Sequence, residues 1–456
     1  MNEAREGSAV AFLAAEVLLL DVLFEFAFAA HSQHVVLDFD FDVFFINAWH
    51  FHFEGQFLII FVNFSAGTSS SGVVFPILRG VSRYLCGIYR EPLNTDPVLD
   101  PAGGLVDDHE HMRKGQPKEV LPVGKLPLAH LRSLLRHPSK HDPRLLIGPQ
   151  IGEDAAVIDA GDRYLVVATD PVTFATDQIG RYAVHVNAND VAVLGARPLW
   201  FFVVMLLPEN RTTPELAETT MADVRTSCEE LDVAVGGGHT EITQGLDRPI
   251  LVGQMLGEVA PTRLVRKTRI AIGDQILLTR GVAIEGTAIL AREMSERLRD
   301  RIDADVLARA ARFLIEPGIS VVSAALAAAN VGEAVHAMHD PTEGGLTMGL
   351  FELAAPAGLG LRVIRERIPV FPETATICSA LALDSLKLIA SGALLIAVAP
   401  DGADLVLRAV EATGVPVAVI GEVRPSNEGI AIVTNGNVEP LPPAPRDEIA
   451  RAFEDG

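Results

Sequence analysis

The chain has 456 residues, a formal net charge of −22 and three cysteines. An apolar share of 49% allows one large or two medium domains with buried cores, so membrane and fibrous classes are not required. The acidic balance argues against a nucleic-acid surface, which needs clustered Lys and Arg. Cys86, Cys228 and Cys378 lie far apart, which favours a reducing cytoplasm over a disulfide framework or a thiolate metal site.

The first 111 residues differ in composition from the rest of the chain. Of the 21 Phe residues, 14 lie at or before Phe75, and no Lys precedes Lys114. Aromatic residues alternate with polar ones over 38–42 and 50–53, a pattern that suits half-buried strands. We therefore treat residues 1–111 as an uncertain segment.

Two origins of this segment stay open. It is either a mis-extended reading frame, since the complement of the Glu codon GAA reads as the Phe codon TTC, or a genuine β-rich module joined by a linker over 91–118. A membrane span over 8–30 is disfavoured by the charges of Glu16, Asp21 and Glu25. A signal peptide also fits poorly, because the first six residues carry no net positive charge.

From residue 112 onward the pattern is that of an α/β protein. A lead-in over 112–143 contains a helix, predicted from a leucine stripe between Pro127 and Pro138. A first domain over 144–262 has predicted strands at 164–168, 199–206 and 249–259, and predicted helices at 178–194 and 214–231. A second domain over 263–443 has predicted strands at 275–279, 392–399 and 417–423, and predicted helices at 287–298, 304–313 and 319–330. Residues 444–456 form a tail.

Acidic residues in the first domain suggest a cation site. Asp154 precedes an apolar strand and Asp170 is expected to end one, although either alone is typical of a turn or a cap. Asn189 and Asp190 lie in an otherwise apolar helix, where polar side chains need partners. Asp and Asn oxygens suit a hard cation such as Mg²⁺. The alternative for this pair is a solvent-facing position near the helix end.

Glycine-rich motifs suggest contacts to phosphate. Gly236, Gly237 and Gly238 follow an apolar strand, which predicts a loop whose backbone N–H groups can approach a phosphate. The motif matches neither the P-loop nor the dinucleotide fingerprint. The next residue, His239, is a ligand, a base or a hydrogen-bonding scaffold residue. In the second domain, the segment from Asp340 to Gly345 presents a carboxylate, a hydroxyl and bare N–H groups before a helix that begins near residue 346, and alternatively forms only an N-cap.

As an ordered set, these motifs resemble the AIR synthase superfamily. Its members include aminoimidazole ribonucleotide synthetase, thiamine-monophosphate kinase, selenophosphate synthetase and the hydrogenase-maturation protein HypE. The resemblance spans about residues 124–453. Its most specific parts are Asn189-Asp190, the Gly-Gly-His-Thr-Glu stretch at 237–241 and the Asp-Pro-Thr-Glu-Gly-Gly motif at 340–345.

The resemblance implies a two-domain PurM-like fold of the α/β (α+β) class. A mixed-sheet first domain is expected to pair in a homodimer, with ATP near that interface and facing the α/β second domain. The cysteine spacing, the acidic charge and the charges within 8–30 predict a cytoplasmic protein with no nucleic-acid or membrane partner. The implied site has Asp154, Asp170 and Asp190 as Mg²⁺ ligands, His239, Asp340 and Thr342 as catalytic residues, and nucleotide contacts from Asn189, Gly236, Gly237, Gly238, Thr240, Gly344 and Gly345.

Departures from the family pattern bear on the subfamily. HypE proteins end in a cysteine, whereas no cysteine follows Cys378 here, and the catalytic Cys or selenocysteine of selenophosphate synthetase is absent between 112 and 154. His239 stands where Asp is commoner. The expected function is a Mg²⁺-dependent, HypE-like enzyme that uses ATP to phosphorylate a carbonyl or phosphate oxygen of an unidentified substrate or protein client. The alternatives are a thiamine-monophosphate kinase-like phosphotransferase and a non-catalytic nucleotide-binding scaffold in hydrogenase metallocentre assembly.

Overall fold

The computed structural model describes residues 40–41, 44–52, 58–66, 121, 123–136, 141–444 and 446–454. The chain divides into two compact units, residues 1–117 and 118–456. The first unit contains an antiparallel sheet of three strands, β1 (Asp40–Phe41), β2 (Phe44–His52) and β3 (Leu58–Ala66). These strands overlap the aromatic alternations predicted as half-buried strands. The structure describes only their backbone, so their burial and the origin of the segment stay predictions.

The second unit begins with a six-stranded mixed sheet. The strand order is β4-β5-β6-β9-β7-β8, with every neighbouring pair antiparallel except the parallel pair β7 and β8. Strand β8 is therefore an edge strand of this sheet. The strands are β4 (Leu145–Ile147), β5 (Ala156–Asp159), β6 (Tyr164–Val172), β7 (Arg197–Pro208), β8 (Ala234–Thr243) and β9 (Ile250–Val259).

One face of this sheet is covered by two helices, α2 (Ile179–Ala192) and α3 (Pro214–Glu230), which follow the short α1 (Leu128–Leu134). Helix α3 begins where Thr213 accepts a hydrogen bond from the N–H of Leu216 at 3.1 Å. Glycine is required at Gly180, because a Cβ there would lie 2.7 Å from the backbone oxygen of Thr220. The two helices can therefore pack closely, and α2 lies against β6 and β9.

The second sheet has seven strands in the order β11-β13-β10-β14-β12-β15-β16. All neighbours are antiparallel except the parallel pair β12 and β15. The strands are β10 (Gln275–Thr279), β11 (Val335–His339), β12 (Gly360–Ile364), β13 (Leu395–Val398), β14 (Val417–Arg424), β15 (Ile430–Thr434) and β16 (Asn437–Pro440). This sheet and its helices form the second domain of the unit.

Short helices surround the second sheet. A turn of 3₁₀-helix at Lys267–Arg269 connects the two domains. The α-helices are α4 (Ile284–Glu293), α5 (Ser295–Leu298), α6 (Ala304–Ala311), α7 (Val322–Val331), α8 (Gly345–Ala354), α9 (Pro372–Leu381), α10 (Ala403–Glu411) and α11 (Glu448–Glu454). Among the residues that the structure describes, no helix is long and apolar enough to cross a membrane.

The element types predicted from the sequence after residue 112 are confirmed, with three corrections. The glycine stretch at 236–238 is not a loop, because it lies inside strand β8. Asp170 does not end its strand, since β6 continues to Val172. The helix predicted at 287–298 is divided into α4 and α5 at Met294, whose backbone dihedrals are not helical.

Candidate functional site

Asp170 is fixed near the C-terminal end of β6 by a side chain of helix α2. The amide of Asn187 accepts from the N–H of Asp170 at 2.9 Å and donates to its backbone oxygen at 3.3 Å. A third bond runs from Asn187 to the oxygen of Ala183 at 2.9 Å. The strand next to β6 has Gly253 at this point, where a Cβ would lie 2.3 Å from the Asn187 amide nitrogen. Buried hydrogen bonds and a glycine thus hold the Asp170 backbone in place.

Helix α2 brings Asp190 against Asp170. Asp190 is 5% exposed, and its Oδ2 atom has no hydrogen bond among the described residues. Burial, followed by the charges of Asp170 and Asp340, raises the pKa of Asp190 well above its ordinary value. Burial also raises the pKa of Asp170, which shares a hydrogen bond with Asp190. The charge of Asp170 therefore disfavours ionisation of the neighbouring Asp190.

Asn189, the neighbour of Asp190, has partners in the second domain. Its amide donates to the backbone oxygen of Ile319 at 2.9 Å and accepts from the N–H of Val321 at 2.8 Å. The side chain is completely buried. The structure thus places Asn189 in a bridge between the two domains, whereas its predicted nucleotide contact stays a prediction.

Asp154 lies in a buried ion-pair network before β5. Its carboxylate is 2.7 Å from Lys267 Nζ and 2.9 Å from His339 Nδ1. Burial alone would raise the pKa of Asp154, but the charges of His339 and Lys267 outweigh it and hold that pKa well below the usual range. Lys267 also donates to the backbone oxygen of Gly152. Asp154 therefore stays ionised inside the domain junction.

Asp340 adds a carboxylate from the second domain, directly after β11. It is 1% exposed, and both its carboxylate oxygens lack a hydrogen bond among the described residues. Burial, followed by the charge of Asp154, raises its pKa well above the ordinary value. Potential ligand atoms of Asp154, His339 and Asp340 lie within 4.8 Å of one another. That spacing is compatible with binding of a common metal ion.

Lys125 reaches the same region from the lead-in segment. Its Nζ atom donates to Thr342 Oγ1 at 3.2 Å and to Glu352 Oε1 at 3.3 Å. Burial would raise the pKa of Glu352, but the charge of Lys125 and the bond from His339 lower it to about 2. The Lys125 side chain remains 44% exposed, so it stands at the solvent side of the cluster.

These residues define what we call the carboxylate cluster, consisting of Asp154, Asp170, Asp190 and Asp340. Each carboxyl group influences the pKa of at least one other. The basic groups beside it, Lys267 and His339, contact only Asp154 among these four in the described part of the chain. Unpartnered carboxylate oxygens in a buried acidic cluster match the oxygen ligands that Mg²⁺ prefers. The residues present therefore fit a hard divalent cation.

The glycine stretch lies away from this cluster within one chain. Gly238 pairs with Val203, Val203 pairs with Gly253, and Gly253 pairs with Asp170. Three strand spacings of roughly 4.8 Å separate Gly238 from Asp170 by about 14 Å. His239 is exposed and lies 3.2 Å from Glu241, and its neighbours Gly236, Gly237 and Thr240 are exposed on β8 as well. The structure does not bring these predicted residues to the carboxylate cluster within one chain.

The paired glycines of the second domain have partners within the protein. The N–H of Gly344 donates to Asp447, and the N–H of Gly345 donates to the oxygen of Thr342 at 3.0 Å. Gly344 and Gly345 have φ of 82° and 61°, a left-handed conformation that favours glycine. They shape the turn that carries Asp340 and Thr342 into helix α8. Their predicted nucleotide contacts stay predictions.

Sequence reasoning assigned no role to several residues around the cluster. Asn187 stands two positions before Asn189, and His339 directly precedes Asp340, so both adjoin motifs identified from the sequence. Lys125 follows Gly124 in the lead-in, whereas Lys267 and Glu352 belong to no motif identified from the sequence. In the sequence, Lys267 lies 113 residues from its partner Asp154, and Glu352 lies 227 residues from its partner Lys125. Only the fold brings such residues together.

Comparison with known proteins identifies the family. Residues 152–259 match the N-terminal domain model of AIR synthase related proteins, and residues 271–434 match the C-terminal domain model. The chain is also 30% identical over 281 residues to carbamoyl dehydratase HypE of Rhizobium leguminosarum bv. viciae, covering 60% of this chain and 77% of that relative. The chain belongs to the AIR synthase-related family. The predicted resemblance is thereby confirmed, and this AIR synthase-related protein is HypE-like.

Solved structures confirm the predicted two-domain PurM-like fold. The crystal structure of HypE from Escherichia coli is 26% identical, with a TM-score of 0.53, and covers 67% of this chain and 95% of that one. A crystal structure of HypE in complex with ATP is 23% identical, with a TM-score of 0.54, and covers 71% of this chain and 94% of that one. The second likeness concerns the fold alone.

Proposed function

We propose that this AIR synthase-related protein is a Mg²⁺-dependent enzyme that uses ATP to phosphorylate a carbonyl or phosphate oxygen of its substrate. The observation that carries the proposal is the carboxylate cluster, in which Asp190 and Asp340 are buried with unpartnered oxygens. Burial of such groups without a cation is unfavourable. The HypE relatives, one of them solved with ATP, support a nucleotide as the second component.

The carboxylates at the domain junction would hold the cation. Asp154, Asp170 and Asp190 come from the first domain and Asp340 from the second. Mg²⁺ bound there would supply positive charge beside the phosphates of the nucleotide. Asn187 holds the Asp170 backbone, and the ion pair to Lys267 keeps Asp154 ionised, so the chain presents these ligands in a fixed arrangement.

Two further side chains of the site can serve the nucleotide or the acceptor. Lys125 is half exposed beside Thr342, and its ammonium group can contact a phosphate at the solvent side of the cluster. Thr342 offers a hydroxyl from the second domain. In this proposal the two residues position the reacting phosphate, and the predicted catalytic role of His239 requires a partner chain, because His239 lies on the exposed strand β8.

We also propose a homodimer that forms through the first-domain sheet. Strand β8 is an edge strand, and its residues Val235 and Ile242 are 37% and 63% exposed. Exposed edge strands pair readily with other chains. Pairing of two copies would place the glycine stretch of one subunit beside the other subunit. In the dimer the stretch can therefore contribute to a site although it lies far from the carboxylate cluster of its own chain. A cytoplasmic location suits the buried free thiols of Cys228 and Cys378.

The proposal is tested by calorimetric titration of the full chain with ATP, with and without Mg²⁺, followed by assay of ADP release. The wild type should bind ATP only with Mg²⁺, and Asp190→Asn should weaken MgATP binding at least about 100-fold. Asp300→Asn is the matched control, because Asp300 is exposed and lies outside the cluster. Mg²⁺-dependent binding without ADP release under any acceptor would favour the scaffold in hydrogenase maturation, and a folded wild type that binds no nucleotide would refute both.

A further inference from the structure

Asp447 is a buried aspartate in the segment that the sequence predicted as a tail. It is 4% exposed and directly precedes helix α11. Its Oδ1 atom accepts a hydrogen bond from the N–H of Ile449 at 2.6 Å, so it caps that helix. Aspartate is mostly an exposed residue type, and capping alone does not require burial. The burial of Asp447 therefore indicates further contacts.

The same carboxyl group binds two segments of the second domain that are far apart in sequence. Its Oδ2 atom accepts from the N–H of Gly344 at 2.5 Å, and Oδ1 also accepts from the N–H of Ile389 at 3.3 Å. Gly344 belongs to the 340–345 turn, whereas Ile389 lies in the loop between α9 and β13. Hydrogen bonds to an ionised acceptor are stronger than neutral ones. Asp447 thus connects the turn, the loop and the start of α11.

The turn and the loop also contact each other directly. The N–H of Ala390 donates to the backbone oxygen of Thr342 at 3.3 Å. Gly345 packs so closely against the loop that a Cβ there would lie 2.6 Å from the backbone oxygen of Leu386. The turn is therefore held between this loop on one side and the carboxyl group of Asp447 on the other.

Helix α11 also contacts the first domain. The ring of Phe453 stacks on that of Phe174, with centroids 6.5 Å apart and planes inclined by 7°. Phe174 lies two residues after β6, the strand that contains Asp170. The backbone oxygen of Ala452 accepts from Arg297 at 3.4 Å. The C-terminal helix thus links the segment after one cluster residue to the turn that follows another.

We propose that Asp447 is a positioning residue of the carboxylate cluster, which holds the 340–345 turn so that Asp340 faces the cation and Thr342 faces the nucleotide phosphate. This inference rests on the proposed function. Asp447 acts on the two residues through the backbone of Gly344 and Ile389. A turn that is fixed before the cation binds need not be ordered on binding, which raises the affinity.

The variants separate this role from helix capping. Asp447→Asn keeps the shape of the side chain but loses its charge and one acceptor oxygen. Asp447→Ser keeps a hydroxyl that can cap α11, but the side chain is too short to reach Gly344. Asp303→Asn is the matched control, because Asp303 caps α6 by accepting from the N–H of Asp305 at 2.9 Å and is exposed.

The first measurement is amide hydrogen exchange of the full chain at pH 8, read by mass spectrometry over residues 340–350. Burial raises the pKa of Asp447 to about 7, so the group is ionised at this pH. Loss of a bond to a charged acceptor should make the N–H of Gly344 exchange at least about 10-fold faster in both Asp447 variants. Asp303→Asn should exchange as the wild type does.

The second measurement is the affinity for Mn²⁺ at pH 8 by electron paramagnetic resonance, with a non-hydrolysable ATP analogue present. The affinity should fall about 10-fold in both Asp447 variants and stay within about threefold in Asp303→Asn. Asp340→Asn removes the ligand that Asp447 is proposed to position. The double variant of Asp340→Asn and Asp447→Asn should therefore bind Mn²⁺ within about threefold of Asp340→Asn alone.

Equal exchange of the Gly344 N–H in all proteins would overturn the anchor. Faster exchange with wild-type Mn²⁺ affinity, or losses that multiply in the double variant, would reduce Asp447 to a structural residue and overturn the positioning role. If Asp447→Asn does not fold, Asp447→Ser decides both measurements. Failure of the proposed function gives a different result, because the folded wild type would then bind no Mn²⁺, and the positioning role would fall with it.

Discussion

The carboxylate cluster and strand β8 both contain motifs identified from the sequence, but the structure largely buries the first and exposes the second. Asp154, Asp170, Asp190 and Asp340 converge from two domains and are largely buried. The glycines and His239 of β8 lie on an exposed sheet edge, about 14 Å away by strand spacing. The carboxylate cluster is therefore assembled within one chain, whereas the glycines and His239 of β8 are exposed at the sheet edge.

The difference shows what positions a site in this fold. The cluster depends on three long-range contacts, from Lys267 to Asp154, from Asn187 to Asp170 and from Asn189 to the second domain. Strand β8 is held by its pairing with β7 and by contacts with helix α3. Residues of the cluster should thus act on cation and nucleotide directly, whereas residues of β8 should act through assembly of two chains.

The largest effect is expected for Asp190→Asn. It removes one carboxylate from the cluster without changing its shape, and MgATP affinity should fall at least about 100-fold, because hard cations depend on ligand charge. Calorimetry measures the change, with Asp300→Asn as control. A variant that binds MgATP as well as the wild type would place the cation elsewhere.

A smaller effect is expected for Lys125→Gln. The amide is one atom shorter and loses the charge beside Thr342 and Glu352, so the KM for ATP should rise about 10-fold. Lys387→Gln, at a side chain that is 39% exposed and paired with Asp384, is the control. Equal kinetics of the two variants would remove Lys125 from the phosphate site.

The proposed role of strand β8 in the homodimer is tested by Ile242→Lys, which places a charge on the exposed edge of the sheet. The homodimer should weaken about 10-fold or more, since edge lysines block strand pairing. Light scattering across a dilution series measures the mass. Val438→Lys changes an equally exposed residue on the edge strand β16 of the other sheet and should leave the dimer intact. Dissociation by Val438→Lys alone would move the interface to the second domain.

The smallest effect on nucleotide binding is expected for Glu285→Gln, which should change stability instead. Unfolded Glu ionises near 4.5, whereas burial raises the pKa of Glu285 to about 7 in the folded protein. The folded state therefore binds the extra proton, and the free energy of unfolding should fall as pH rises from about 4.5 to 7.

Glu285→Gln should reduce this pH slope and stabilise the protein by roughly 1 to 3 kcal/mol at pH 8. Urea titrations at pH 4.5 and 8 measure both quantities. Part of the slope should remain, because burial also raises the pKa of Asp447 to about 7. Identical slopes in wild type and variant would show that Glu285 is ionised in the folded protein.

Sequence patterns predicted the element types, because the periodicity of apolar residues is local. They also identified Asp154, Asp170, Asp190 and Asp340, which lie in recognisable motifs. They could not separate the roles of Asn187 and Asn189, since two residues along a helix correspond to a rotation of about 200°. Asn187 therefore faces β6, and Asn189 faces the second domain. The strand position of Gly238 was missed because glycine usually marks a turn, whereas here it permits close approach to Val203.

The most direct test of the carboxylate cluster is a titration of the full chain with Mn²⁺ in place of Mg²⁺, followed by electron paramagnetic resonance. A non-hydrolysable ATP analogue is present throughout, and wild type is compared with Asp190→Asn and Asp300→Asn. Tightly bound Mn²⁺ in wild type and Asp300→Asn, lost in Asp190→Asn, is the predicted result. Folded wild-type protein that binds no Mn²⁺, or equal binding by all three proteins, would contradict a cation site built from these four aspartates.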